Sequence, residues 1–456
     1  MGFEQYEIHS VLRRGLKESG FEEPTQVQKK SIPAALEGKN VVCSSGTGTG
    51  KTLAFLIPAV QKLLASKWDR TDGLGALVIT PTRELALQIF EVLQKIGKYT
   101  NLSGGLLIGG RDAEKEKESL ASLNIVVGTP GRLLEHFESA WRFSGDVLEV
   151  LVIDEADKLL EMGFKQTVER IMEYVRRKRQ TLLFSATAEQ LARSKKIWDI
   201  EAPEFITVRS EEEKGGLEQE VYVVTPSQKF DLLYRVIKNN LKKKILVFLA
   251  TCKEVAFFHA LLLRLRLGAK VLALSGSMSQ KKRIEVCRKF SGREAKVLLA
   301  TDLVARGLDF PGVGVVLQLD APDTKETYIH RVGRTARNNA SGKGVLALLE
   351  RERGVLKDLE GFKGLGEPKE FRSIRTICDR VHAVMKESPE IYTMAQKYVK
   401  TYKASLRTMK KEYTKDAEKD IEEIVAYLGV QEDENVSWSA PAKRKSKMLN
   451  TKIRFD

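Results

Sequence analysis

The sequence predicts an α/β fold: two tandem parallel-sheet domains followed by a helical C-terminal extension. Three observations carry this reading. Short runs rich in Val, Ile and Leu, without alternation, recur between helix-like stretches, as expected of strands buried on both faces of a parallel sheet. The set of runs occurs twice, on either side of the charged, glycine-containing segment Ser210–Gly216. Past about residue 365 the runs stop, and apolar residues recur at three- and four-residue steps through Leu428.

The first set is Val41–Cys43, Ala76–Ile79, Ile125–Val127, Val150–Ile153 and Thr181–Phe184. Each run leads into a polar or glycine-rich cluster. Open α/β sheets bind ligands at the carboxyl ends of their strands, so five chemical clusters are expected on one edge. The second set is Ile245–Leu249, Val271–Leu274, Val297–Leu299 and Val315–Leu319. The expected division is a first domain over 1–209, a linker over 210–219, a second domain over 220–365, a helical extension over 366–430 and a basic, disordered tail over 431–456.

Among 456 residues, 76 Lys and Arg face 61 Asp and Glu, a net charge of +15 that favours a polyanionic partner. The four cysteines (Cys43, Cys252, Cys287, Cys378) form no Cys-x-x-Cys pair. That pattern argues against a disulfide framework and a zinc site. The longest apolar runs, Ile245–Ala250 and Ala260–Leu263, are too short to span a membrane. Met1–Glu7 contains no basic stretch followed by an apolar run, so no signal peptide and an intracellular location are expected.

Ser45-Gly46-Thr47-Gly48-Thr49-Gly50-Lys51-Thr52 follows a strand and opens a helix expected over Leu53–Leu64. Its glycines let backbone N–H groups approach phosphate oxygens, and the helix N-terminus adds positive potential. Lys51 would reach the β- and γ-phosphates of a nucleoside triphosphate and Thr52 would hold Mg²⁺. Asp154, at a strand end, is the second expected Mg²⁺ group, and Glu155 the group that orients the attacking water. Alone, Asp154–Asp157 would read as an exposed acidic turn. Arg331, Arg334 and Arg337 recur at every third position, and on a helix the last two would share a face. By themselves they read as a solvated basic helix; opposite a phosphate loop they would stabilise a transferring phosphoryl group.

In combination these segments resemble the DEAD-box ATP-dependent RNA helicases, over residues 1 to about 365. The motifs are Gly20–Gln28, the phosphate loop, Pro81–Ala86, Gly109-Gly110, Thr129–Arg132, Asp154–Asp157, Ser185–Thr187, Ala300–Asp309 and His330–Arg337. The resemblance implies two RecA-like domains. It implies that Phe21 stacks on adenine, that Gln28 reads its edge and that Asp309 touches the ribose. Arg334 and Arg337 would face the γ-phosphate. Ser185 and Thr187, with Asp157 and His330, would couple ATP to RNA. RNA contacts are implied for Pro81, Thr82, Arg83, Glu84, Gly110, Thr129, Pro130, Gly131, Arg132, Thr251, Gln280, Arg283, Thr301 and Asp302. Ala336 departs from the Gly of many members, and Ser275 from their His.

Thr71–Ala86, Phe90–Lys98, Leu107–Gly110 and Ala395–Arg407 further resemble the nucleolar helicases of the small-subunit processome. That likeness implies a monomer in the nucleolus, with pre-ribosomal RNA and small nucleolar RNA duplexes as substrates and ribosome-assembly proteins as partners. The competing readings are an ATP-dependent RNA clamp that never unwinds, and a DNA translocase.

Overall fold

The computed structural model describes residues 2–46, 48–110, 113–140, 143–176, 178–186, 197–198, 200–208, 216–292, 294–302, 310–336, 340–360, 364–372, 376–406 and 417–431. Among these, two parallel sheets of seven strands form the frame. The first comprises β1 (Val41–Ser45), β2 (Ala76–Ile79), β3 (Gly104–Leu107), β4 (Ile125–Gly128), β5 (Val150–Ile153), β6 (Gln180–Ser185) and β7 (Glu204–Val208). The second comprises β8 (Leu217–Val223), β9 (Lys244–Phe248), β10 (Lys270–Leu274), β11 (Lys296–Ala300), β12 (Val313–Gln318), β13 (Gly342–Leu348) and β14 (Leu365–Glu370). The orders are β3-β4-β2-β5-β6-β1-β7 and β10-β11-β9-β12-β13-β8-β14. The second sheet therefore repeats the first strand for strand.

The continuous apolar runs follow from burial on both faces. In the first sheet Val41, Cys43, Val78, Val127 and Val152 feed one core, while Val42, Leu77, Ile79, Val126 and Ile153 feed the other. In the second sheet Ile245, Val247 and Leu317 point to one side, and Leu246, Phe248 and Val316 to the other. Parallel register carries neighbouring strand ends to the same edge: Ile79 pairs with Gly128 and with Ile153.

Two expectations about boundaries need correction. β8 begins at Leu217, inside the expected linker, whose residues 210–215 lie outside the described residues. β14 spans the expected boundary at 365 and pairs with β8. The extension helices Cys378–Glu387, Pro389–Leu406 and Ala417–Leu428 do not form a core of their own. Val381, Ile391, Tyr398, Tyr402, Ile421 and Leu428 share one cluster with Ile245, Phe257 and Leu261 of the second sheet's layer. Tyr398 stacks on Phe257 with ring centroids 5.3 Å apart. Beneath them Arg351 pairs with Asp420 and reaches the Tyr402 hydroxyl. Of the tail, all but Gln431 lies outside the described residues.

Candidate nucleotide cleft and nucleic-acid face

β1 ends in the buried Ser45, and the helix Lys51–Ala65 begins six residues later. Gly48 and Gly50 between them have φ of +77° and +91°. Gly50 has a second constraint: a Cβ there would lie 2.6 Å from Gln28 Nε2 and 2.9 Å from Thr25 Oγ1. Gln28 donates from Nε2 to Gly50 O (2.8 Å) and accepts from Thr25 N (3.0 Å), tying the Thr25 turn to the end of the phosphate loop. Thr49 Oγ1 donates to Gly46 O, and Lys51 Nζ to Ser45 O at 3.3 Å. Thr52, in the first turn of the helix, is partly exposed. Phe21 packs half-buried against the first-domain core.

Asp154 and Glu155 follow β5, both buried. Burial pushes the Asp154 carboxyl up to about 7; Lys51 draws it down and Glu155 pushes it up. Burial raises Glu155 as well, while Lys51 and Arg334 lower it. Glu155 holds φ +49°, ψ 51°, a left-handed conformation that places it at the start of the helix Ala156–Glu161. Two adjacent buried carboxylates with raised proton affinity suit a bound cation. Among the described residues no three His, Cys, Asp or Glu side chains converge as a metal-binding group.

Arg334 comes from the second domain. The helix expected to carry it does not reach it. The helix Lys325–Val332 ends at Gly333, so Arg334 lies beyond it, buried, with Nε donating to His330 O. Its charge nevertheless acts on Glu155 of the first domain. Ser185 closes β6 with no exposure, and Asp157 is buried nearby in sequence to Glu155. Thr47, Thr187, Asp309 and Arg337 lie outside the described residues.

A second cluster gathers at the ends of β2, β3 and β4, which are neighbours in the sheet. Thr82 caps the helix Arg83–Ile96 by accepting from Leu85 N. The Arg83 guanidinium lies over the Gly109–Gly110 turn, where a Cβ at either glycine would come within 3 Å of it. Thr129 and Pro130 open the helix Pro130–Ser139, and Gly131 has open space around it. Arg132, implied as an RNA contact, is instead buried; its Nε donates to Ile108 O and its Nη1 to Glu135.

Two residues from the second domain close on this cluster. Gln280 Nε2 donates to Glu84 Oε1 and Arg283 Nη2 pairs with Glu84 Oε2, each at 2.9 Å. Thr251 caps the helix Cys252–Leu265, and its hydroxyl lies 3.5 Å from that of Thr401. Thr301 is buried at the end of β11, and the Asp302 carboxylate is held by both Arg331 Nε and Nη2. Asp302 therefore has its carboxylate committed within the protein. The Arg331–Asp302 pair and the Glu116 and His136 side chains beside Arg132 were missed in the sequence. Only the i, i+4 spacing of Arg132 and His136 hints at the latter.

Residues 25–194 match the DEAD/DEAH box helicase family, and residues 228–339 the helicase conserved C-terminal domain. The chain is 43% identical over 450 residues to the ATP-dependent RNA helicase DBP4 of Encephalitozoon cuniculi, covering 95% of this chain and 100% of that one. It is 40% identical to the probable ATP-dependent RNA helicase DDX10 of Homo sapiens, covering 94% of this chain but only 50% of that one. Among solved structures it is similar to the DEAD-box helicase Mss116 bound to single-stranded RNA and UDP-BeF, with TM-score 0.84, 28% identity and coverage of 93% and 90%. It is also similar to Dbp5 of S. cerevisiae bound to RNA and ADP BeF3, with TM-score 0.73, 25% identity and coverage of 85% and 99%. No helix among the described residues is long and apolar enough to cross a membrane.

Proposed function

We propose that this chain, which belongs to the DEAD/DEAH box helicase family, hydrolyses ATP to separate or remodel short RNA duplexes locally. The observation that carries the reading is electrostatic. Glu155 of the first domain lies within the field of Arg334 of the second, so the hydrolytic group and its cationic partner come from different halves. Turnover then requires the halves to be closed, and RNA bound across both faces favours that closure.

Gly46, Gly48 and Gly50 bring backbone N–H groups to the phosphates, with Ser45 and Thr49 shaping the loop. Lys51 leaves Ser45 O to bind the terminal phosphates. Phe21 and Gln28 select adenine, and Asp309 the ribose. Thr52 and Asp154 would hold Mg²⁺, which would supply charge neutralisation for the phosphates. Glu155 orients the attacking water and accepts its proton. Arg334 and Arg337 offset charge on the transferring group, and Ser185 and Thr187 pass the change to the RNA face.

On that face the open N-terminus at Thr129–Gly131, Gly110, Thr82 and Arg83 bind backbone phosphates of one strand, which gives register without sequence reading. Thr251, Gln280 and Thr301 extend the track into the second domain. The exposed Lys397 and Lys400, on the helix that brings Thr401 to Thr251, lengthen it electrostatically. Similarity to the DBP4 and DDX10 helicases supports a role in ribosome biogenesis; on this reading the substrates are pre-ribosomal RNA and small nucleolar RNA duplexes, the partners ribosome-assembly proteins and the location the nucleolus.

Steady-state ATPase with and without structured RNA, on wild type and Lys51→Ala, tests the reading. RNA-stimulated turnover that Lys51→Ala abolishes is expected. ATP and RNA binding without turnover would replace the motor with a static clamp, and equal stimulation by DNA duplexes would overturn the RNA assignment.

A further inference from the structure

We infer that Glu116 and His136 are positioning residues for the RNA grip of the first domain, acting through Arg132. This rests on the reading of Gly110 and Thr129–Gly131 as phosphate contacts. His136 has no exposure, and its Nε2 lies 2.8 Å from Glu116 Oε2. The same oxygen is 3.4 Å from Arg132 Nε. Arg132 and His136 stand one helical turn apart on Pro130–Ser139, so one carboxylate oxygen hydrogen-bonds the imidazole and pairs with the guanidinium from one helix face. Glu116 belongs to a different segment, the short helix Ala113–Lys117 that follows the Gly109–Gly110 turn.

The consequence is mechanical. Arg132 also donates to Ile108 O, immediately before that turn. The residues on both sides of Gly109–Gly110 are thereby fastened to the helix that begins at Thr129. Two phosphate-binding points on separate loops must keep a fixed spacing to hold one strand, and preorganised spacing strengthens binding without adding a contact. A half-buried carboxylate shared between a buried guanidinium and a buried imidazole holds that spacing more firmly than exposed pairs do. The second carboxylate oxygen, Oε1, and His136 Nδ1 are buried with no hydrogen-bond partner among the described residues. A solely structural pair would gain by replacement with apolar side chains.

The test compares Glu116→Ala, Glu116→Gln, His136→Leu and His136→Gln in RNA-stimulated ATPase and fluorescent single-stranded RNA binding. Glu116→Ala and His136→Leu should each raise the half-saturating RNA concentration about tenfold, the size of one lost charge-assisted contact. Turnover at saturating RNA, KM for ATP and basal ATPase should stay at wild-type values. His136→Gln keeps a donor toward Glu116 and should return most of the RNA affinity; Glu116→Gln should fall between. Unchanged RNA half-saturation in Glu116→Ala and His136→Leu overturns the inference. So does a parallel fall of every parameter, or His136→Gln behaving as His136→Leu. Wild type that neither binds RNA nor responds to it would instead remove the reading beneath it.

Discussion

Glu84 of the first domain and Arg283 of the second form an ion pair of 2.9 Å across the cleft, with side-chain exposures of 3% and 16%. Gln280 takes the other carboxylate oxygen. Truncating one partner of such a shielded pair leaves the other charge uncompensated, at a cost of roughly 3–5 kcal/mol where burial is complete. Arg283→Ala should therefore disfavour the closed state and lower RNA-stimulated ATPase about tenfold or more. Energy transfer between one dye on each domain, with ATP and RNA present, reads the closure directly. Wild-type transfer efficiency in the variant would remove the pair from closure. A cycle with Glu84→Ala separates the pair from the two single losses.

Glu155→Gln keeps the shape of the side chain and removes its basicity. Turnover should fall by about 10²-fold or more, the usual share of a positioned base. ATP and RNA affinity should be retained. Single-turnover hydrolysis at wild-type rate would exclude Glu155 as the group that activates water.

A buried pair of carboxyl groups lies between the second sheet and the extension. Burial, then the charge of Asp320, pushes the Glu254 carboxyl well above its ordinary range. Asp320 is held below its ordinary range: burial opposes this, but Lys229, 2.6 Å away, outweighs it. Both carboxylates accept from Ala250 N, and Tyr398 faces the pair. For Glu254 the native state binds the proton that the unfolded chain releases, so this stability is complete below about 4.5 and is lost as pH rises toward the folded value. Asp320 works the other way, losing its contribution only as pH falls below its ordinary 3.8. Glu254→Gln mimics the protonated form. Its denaturation midpoint should match wild type near pH 4 and exceed it increasingly at higher pH, by at most about 1.4 kcal/mol per pH unit in the window. A constant difference across pH would contradict a buried proton at this site.

Arg351→Ala should cost about 3 kcal/mol of stability, because it strands Asp420 and Glu352 beside the extension. Urea denaturation should show the loss in the transition of the second domain. Loss confined to a separate, early transition of the extension would contradict their shared core.

What the sequence reveals tracks burial, except where glycine or alternation hides an interior strand, as in β13, which opens Gly-Lys-Gly, and β8, which alternates. Strands covered on both faces, such as Val150–Ile153, read as unbroken apolar runs and stand out. β7 and β14 lie at sheet edges, where Phe205 is 57% exposed and Pro368 interrupts the pattern, so neither declared itself. β3 begins with two glycines and carries almost no β signal. The phosphate loop is readable because its backbone conformation demands glycine at fixed places. The position of Arg334 is not, because Gly333 ends the helix and cancels the expected periodicity. Pairs such as Gln280 with Glu84 are separated by 196 residues, and no local pattern can announce them.

The shared core of the extension sets an order for synthesis. Every strand of the first sheet has been made once residue 208 has emerged, so that domain can fold while the remainder is still being translated. The second cannot cover Phe257 and Leu261 until Tyr398 and Leu428 arrive. The two jaws are thus completed at different times. A nascent chain already able to bind nucleotide has no finished opposing surface, and grip arises only after translation has passed Leu428.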